Sequence, residues 1–248
     1  MVDLFDEVEE QLRSDRYKTL ALKLAPWVIG ALIAGLLVAG AVWGWRTYTA
    51  RVTAEASDTY ASALETLGAG RQEEAYAQFG KVAGSQAKGY ASLALMQQGG
   101  IRLGQNRTAE AVKLFDEAAK RATSPLVQDA ARLKSALALL DTAPYADMEA
   151  RLKPMLEDGR PYRVQAREAL AFAKLLKGDT AGAREEFVVI SLLSDAPEGA
   201  RQRASAAMQL IDSGSAASIA AAVKAAAALP PAAPSPSLPQ QPQAPVSQ

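Results

Sequence analysis

The side chains that most often perform catalysis or bind metals are absent from this sequence. Its 248 residues contain no His and no Cys, which removes the commonest general base, the commonest metal ligand and every thiolate nucleophile. The remaining acid–base candidates are Asp141, Glu149 and Asp158, and no motif pairs these carboxylates with one another. Nucleophile-elbow, Ser-x-x-Lys, phosphate-loop and dinucleotide-binding motifs are also missing. We therefore expect no catalytic residue, no metal site, no cofactor and no small-molecule substrate, with the three carboxylates as surface charges.

Composition favours helices and argues against nucleic acid as a partner. Lys and Arg total 27, as do Asp and Glu, so no net field attracts a polyanion. Hydrophobic residues make up 49% of the chain but aromatic residues only 6%, because Ala dominates. Ala loses no side-chain entropy when it enters a helix. A chain of this length has room for one mid-sized domain with appendages.

An uncharged run at 24–45 is long enough to cross a bilayer. Its 22 residues span ~33 Å as a helix, against a hydrocarbon core of ~30 Å. Trp side chains prefer the headgroup region, and all three Trp residues stand at the ends of this run. Pro26 is expected in the first turn of the helix, where its missing N–H costs little. The residues predicted to anchor the helix at the two interfaces are Lys23, Trp27, Trp43, Trp45 and Arg46.

Two other interpretations of the run fit less well. A buried helix of a soluble protein would show a polar stripe, and a cleavable signal peptide would have a shorter apolar region followed by small residues. Basic residues set the orientation, because they are retained on the cytoplasmic side. Four precede the run and two follow it: Arg13, Arg16, Lys18 and Lys23, then Arg46 and Arg51. The sequence thus predicts a single-pass protein of a bacterial inner membrane, with a cytoplasmic N-terminus and a periplasmic C-terminal part.

Three later segments share one pattern of Gly, Ala and Phe. The Ala positions lie 36 and 72 residues apart, which is one period and two periods. A weaker copy in the gap has Met148, Leu152 and Met155, with Pro154 inside its second helix, and the second copy carries two extra residues in its turn. The residues predicted to pack the repeats are Gly70, Ala75 and Phe79, then Gly104, Ala111 and Phe115, then Gly178, Ala183 and Phe187.

The pattern is that of a helical hairpin repeated along the chain. Gly ends the first helix because it adopts the left-handed conformation without steric cost. The small Ala lets the second helix approach its neighbour, and the aromatic residue four positions later covers the same face. No unit can bury its apolar face alone, so neighbouring units stack into a solenoid. These Phe and Ala residues hold the scaffold together and do not select a ligand; the partner-binding residues are not evident from one sequence.

The fold expected is therefore all-α, with one transmembrane helix, a helical-hairpin solenoid and a disordered Pro-rich tail. The last segment contains seven Pro in 19 residues and no charge, which cannot bury enough apolar surface to offset chain entropy. The predicted divisions are a cytoplasmic amphipathic tail at 1–23, the transmembrane helix at 24–45, a periplasmic repeat domain at 46–212, an Ala-rich helix at 213–229 and the Pro-rich tail at 230–248.

The Gly-x₄-Ala-x₃-Phe pattern, plainest in KGDTAGAREEF at 177–187, resembles the tetratricopeptide repeat. With the opening tail DLFDEVEEQLRSDR and the stretch LLDTAPYADMEARLKPML at 139–156, the arrangement resembles the YfgM-like family of ancillary Sec translocon subunits, in its alphaproteobacterial form. The resemblance runs from the tail through about Asp212. It implies a scaffold that needs no cofactor, with the lipid bilayer, the Sec translocon, periplasmic chaperones and client polypeptides as partners.

A second functional hypothesis belongs to a different class. Small residues recur along the membrane run, and such a surface allows close contact between helices. A structural envelope protein that self-associates through this face and through the repeats is the alternative, and it makes a homo-oligomer an expected state.

Overall fold

The computed structural model describes residues 3–227, and all regular secondary structure in this range is helical. The side chains of residues 1–22, which carry the predicted amphipathic face of the tail, and the Pro-rich tail at 230–248 lie outside the described part. The α-helices are α1 Asp3–Gly68, α2 Gln72–Ala83, α3 Lys88–Gly104, α4 Thr108–Arg121, α5 Pro125–Leu139, α6 Tyr145–Leu152, α7 Arg163–Leu176, α8 Thr180–Leu192, α9 Glu198–Asp212 and α10 Ile219–Ala227.

The chain divides into two compact units between Glu55 and Ala56. The first unit is the N-terminal part of α1, and the predicted boundaries at 23/24 and 45/46 fall inside this continuous helix. Pro26 is consequently inside a helix and not in its first turn, because α1 begins at Asp3. Its missing N–H removes one hydrogen bond from the helix ladder.

One helix in the described range is long and apolar enough to cross a membrane. This candidate segment runs from Ile29 to Gly68, and none of its most apolar stretch is buried within the protein. The large side chains of the predicted span point to the surroundings: Trp27 is 80% exposed and Leu36 73%. Such exposure of apolar side chains is stable in lipid and costly in water.

The second unit is built from helical hairpins. The last turns of α1 pair with α2 through the rings of Tyr60 and Phe79, whose centroids are 5.4 Å apart. The following pairs are α3 with α4, α5 with α6, and α7 with α8, and α9 packs on α8. Each of α2, α4, α6 and α8 packs against the first helix of the next hairpin, while α3, α5, α7 and α9 contact one another in turn. First and second helices therefore form two layers.

The third hairpin departs from its neighbours. Its second helix, α6, has 8 residues, whereas α4 has 14. The helix ends at Leu152, and the chain tightens into a 3₁₀ turn over Lys153–Met155. Pro154 explains this end, since its ring and its missing N–H cannot continue an α-helix. The expectation of Pro154 inside a helix is thus corrected: the proline follows the helix.

Two apolar cores lie in the C-terminal half of this unit. One joins α5, α6 and α7 around Met148, Leu152 and Met155. The other joins α7, α8 and α9 around Phe187 and Ile190. Past Asp212, Gly214 turns the chain with φ +76°, and a 3₁₀ turn over Ser215–Ser218 leads into α10.

Candidate protein-binding surfaces

The Phe and Ala residues of the repeat pattern lie between the two helix layers. Ala75, Ala111 and Ala183 are inaccessible to solvent, and so are Phe79 and Phe187, with Phe115 at 1% exposure. In the weaker copy, Met148, Leu152 and Met155 are equally buried. All of these side chains serve the packing of the scaffold, and none is available to a partner.

A small residue on each first helix faces this aromatic position, and the sequence reasoning missed it. Gly99 lies against the ring of Phe115 so closely that an added Cβ would stand 2.5 Å from Cε1. Residues at the same register are Ala63, Ala136 and Ala171, and each is at 0% exposure. The available signal was a small residue twelve positions before Ala75, Ala111 and Ala183, and before Met148.

The turn of the second hairpin corrects the role predicted for Gly104. Gly70 and Gly178 have positive φ values of 80° and 88°, whereas Gly104 is the last helical residue and Asn106 takes the left-handed position with φ 60°. Asn106 lies five residues before Ala111, as Gly70 lies five before Ala75. The second turn therefore contains no extra residues.

The backbone hydrogen bonds of the three turns agree with this assignment. The N–H of Gly70 donates to Leu67 O at 2.9 Å, and that of Gly178 to Leu175 O at 3.0 Å. The N–H of Asn106 donates to Leu103 O at 3.0 Å, in the same i→i−3 relation. In each turn the following N–H reaches back five residues, which completes a Schellman motif. Asn tolerates the left-handed region better than most residues with a side chain.

The predicted interface residues of α1 are all exposed. They are Lys23, Trp27, Trp43, Trp45 and Arg46. Just after them, the hydroxyl of Thr47 donates to Trp43 O at 2.9 Å and that of Thr49 to Trp45 O at 3.0 Å. These bonds satisfy two polar side chains within the helix itself.

One surface of the first-helix layer is formed by side chains of α1, α3 and α5 that are exposed or half-buried. We call it the first-helix face; it is largely apolar, with Gln97 and Lys134 as polar members. Gln97 donates to the hydroxyl of Tyr60 at 3.1 Å and so joins α3 to α1. Leu137 on α5 is 49% exposed and Leu103 on α3 is 38% exposed. The residues of the face are Tyr60, Leu64, Leu93, Met96, Gln97, Leu103, Lys134 and Leu137.

Ion pairs between helices fix the layers elsewhere. Arg102, nearly buried, donates to Glu73 at 2.7 Å and lies over the ring of Tyr76. Arg203 on α9 holds both carboxylate oxygens of Glu168 on α7, at 2.6 and 2.8 Å. Bidentate pairs of this kind give geometric specificity as well as energy.

Glu186 on α8 shows how these pairs act on acidity. Burial raises the pKa of Glu186, but hydrogen bonds from Lys174 at 2.9 Å and Arg167 at 2.6 Å outweigh it, so its pKa lies below the ordinary 4.5. This carboxylate is charged and paired at neutral pH. It therefore ties α7 to α8 and does not serve as a general acid.

The three carboxylates considered for catalysis are scattered. Asp141 is exposed after α5, Glu149 accepts a hydrogen bond from the Tyr145 hydroxyl at 3.3 Å, and Asp158 pairs with Arg163. Within the described range, no three acidic side chains come close enough to hold a metal ion.

The other layer has a polar surface. An open cleft of about 520 Å³ separates α4 from α6, with α5 behind it. Arg151 on α6 donates to Asp116 Oδ1 at 2.8 Å, and Ser135 on α5 donates to the same oxygen at 2.6 Å. The sequence reasoning did not anticipate this cleft.

Comparison with known proteins gives one match. A family model described as a tetratricopeptide repeat-like domain matches residues 23–191, which is more than half of the chain. The match includes the uncharged run at 24–45 and all four hairpins. No curated protein and no solved structure matches.

Proposed function

The chain belongs to the tetratricopeptide repeat-like domain family, and from this premise we propose that it is a membrane-anchored, non-catalytic scaffold that binds polypeptides. The observation that carries the proposal is the first-helix face: apolar side chains such as Leu137, at 49% exposure, are held in register by helices whose cores are complete without them. Exposed apolar patches on a packed scaffold mark sites of protein interaction.

The finer part of the proposal concerns place and partners. The uncharged run at 24–45 anchors the chain in a bacterial inner membrane, residues 1–23 are cytoplasmic, and the repeat domain at 46–212 is periplasmic. The Ala-rich helix at 213–229 and the Pro-rich tail at 230–248 follow on the same side. The resemblance to the YfgM-like family supplies the partners, which are the Sec translocon, periplasmic chaperones and exported polypeptides. Tethering raises the local concentration of the face, so modest affinity is sufficient.

The test of partners is site-specific photocrosslinking in native membranes. A benzophenone amino acid replaces Leu137 or Met96 on the first-helix face, and the control carries it at Glu185, an exposed position on α8. We expect crosslinks from the first two positions to a Sec component, a periplasmic chaperone or exported chains. Recovery of no polypeptide partner, or of the same partners from position 185, would reject the scaffold.

The orientation of the chain in the membrane can be tested by cysteine labelling. Because the sequence contains no Cys, only an introduced Cys reacts with a maleimide. Single substitutions Asp141→Cys and Ser14→Cys are treated with a membrane-impermeant maleimide in intact spheroplasts. Labelling of position 141 alone is the expected result. Labelling of position 14 alone would place the repeat domain in the cytoplasm and remove the export partners.

The self-associating envelope protein is the second candidate, favoured by a separate observation. Leu192 on α8 is 78% exposed and Val189, one turn before it, is 37% exposed, so this end of the repeats offers apolar surface to another copy. Light scattering of the full-length protein in detergent, with Leu192→Lys beside it, separates the two candidates. A monomer favours the scaffold, and an oligomer dispersed by the substitution favours the envelope protein.

A further inference from the structure

The cleft between α4 and α6 has the volume of a ligand site. Its volume of about 520 Å³ falls within the range of ~300–1,000 Å³ that is usual for such sites. It is open because α6 ends at Leu152, and the small residues Ala150 and Pro154 line the side where a longer helix would stand. The cleft lies on the second-helix layer, away from the first-helix face.

Cations dominate the lining of this cleft. Lys120, Arg132 and Arg151 line it, and Asp116 is the one carboxylate among the lining residues. Arg151 is committed to Asp116, so these two charges compensate each other. The other two cations carry the excess positive charge, although the whole chain is neutral.

Arg132 has one ion pair, at a long distance, and Lys120 has none in the described part of the chain. The carboxylate nearest to Arg132 belongs to Asp129, 3.8 Å away, and that buried group already binds Arg160. Lys120 is exposed at the end of α4 and has no ion pair or hydrogen bond within the described part of the chain. An incoming anion would therefore meet two cations, of which Lys120 has no carboxylate to release and Arg132 has only the distant Asp129, which Arg160 already holds.

A second cavity extends this positive surface. It measures about 460 Å³, shares Lys120 with the first, and is also lined by Lys88 and Arg121. Arg121 is held by Glu117 at 2.8 Å and by the carbonyl of Ala83 at 2.9 Å, whereas Lys88 has no such bond among the described residues. The two cavities together present cations on both sides of Lys120.

We propose that this double cleft binds an acidic polypeptide segment, with one Asp or Glu carboxylate between Arg132 and Lys120 and a second near Lys88. The amide of Gln128 lines the first cavity and can bond the peptide backbone, while Ala119 and Pro154 contact the methylenes. Neither cavity is lined by an aromatic side chain on which the bases of a nucleic acid could stack. The cleft therefore suits an acidic polypeptide better than a nucleic acid. The inference rests on the proposed function only in taking the ligand to be a polypeptide.

The test uses full-length protein in detergent and a fluorescent peptide of alternating Glu and Gly, followed by anisotropy. The matched peptide replaces every Glu with Gln. Lys120→Glu is compared with Lys113→Glu, which makes the same charge change at an exposed position on the same helix α4, and Arg132→Gln removes a single charge from α5. We expect the Glu peptide to bind, each cleft variant to weaken it about tenfold, and rising salt to weaken it further.

Besides the absence of Glu-peptide binding, three results would overturn the proposal. One is equal binding of the Gln peptide, and another is equal weakening by Lys113→Glu, which would show a nonspecific field. The third is tighter binding of an oligonucleotide of the same charge, lost in the same variants, since the cleft would then bind nucleic acid. If the Glu peptide does not bind the protein but position 137 still crosslinks to its partners, only the cleft is rejected as a binding site. If positions 96 and 137 give no crosslinked partner but the Glu peptide still binds, only the first-helix face is rejected as a binding site.

Discussion

The second and third hairpins solve the same packing problem in different ways. In the second, the ring of Phe115 lies on Gly99, and α4 extends over 14 residues. In the third, Leu152 takes the aromatic position against Ala136, and α6 has 8 residues. Polar contacts supplement the shorter helix: Arg151 and Ser135 share Asp116, and Arg160 holds the buried Asp129.

The difference teaches where a repeat can specialise. The aromatic-on-glycine contact leaves little room for variation, because protein interiors are close-packed and a ring cannot move into its neighbour. The third hairpin gives up part of that apolar contact and replaces it with hydrogen-bonded charges. These charges fix the edges of the cleft between α4 and α6, so the irregular hairpin carries a polar surface.

The largest effect is expected from removing the aromatic side chain. Phe115→Ala should lower the free energy of unfolding by about 4 kcal/mol, and Leu152→Ala by about 3 kcal/mol, since both leave cavities of different size at the same register. Urea unfolding of full-length protein in detergent, followed by circular dichroism, measures both. A larger loss at Leu152 would mean that the third hairpin depends on apolar packing as much as the second does.

Two adjacent glycines on α3 should respond with opposite signs. Gly99→Ala places a methyl group within 2.5 Å of the buried Phe115 ring and should cost about 1–3 kcal/mol through overpacking. Gly100→Ala meets no atom within 4 Å and should stabilise the helix by about 0.5–1 kcal/mol. The same unfolding assay compares them. A gain from both substitutions would show that the ring can move, and the contrast with the third hairpin would weaken.

Much of the scaffold was predictable from sequence, because its pattern is local and periodic. Ala111 and Phe115 lie four residues apart on one helix face, and their burial follows from that spacing. Gly99 was harder to recognise because Gly in a helix ordinarily weakens it, and only the partner ring explains its presence. The cleft could not be predicted, since it joins Asp116, Arg132 and Arg151 from three helices and depends on where α6 ends.

The turn assignment is tested by a smaller effect. Gly178→Ala forces a side chain into φ +88° and should cost about 1–2 kcal/mol. Gly104→Ala changes a helical residue with open space around it and should be neutral or slightly stabilising. The thermal midpoints of the two variants distinguish the positions. A comparable loss of stability from Gly104→Ala would mean that Gly104, and not Asn106, is the residue on which the turn depends.

The smallest effect isolates the polar contacts of the third hairpin. Ser135 is fully buried, donates to Asp116 and accepts from Arg151 at 2.9 Å, so Ser135→Ala should cost about 1 kcal/mol. The loss of stability should be confined to the surroundings of α6, because Arg151 and Asp116 keep their own contact and the apolar core is unchanged. Amide hydrogen exchange should therefore accelerate in α6 and leave α4 near its original rate. Ala131→Gly, a buried change on the same helix away from these charges, is the control for a general loosening of α5. If amide hydrogen exchange accelerates equally in α4 and α6 after Ser135→Ala, the polar contacts stabilise the whole repeat domain. They would then not be a stabilisation specific to the short helix α6 of the third hairpin.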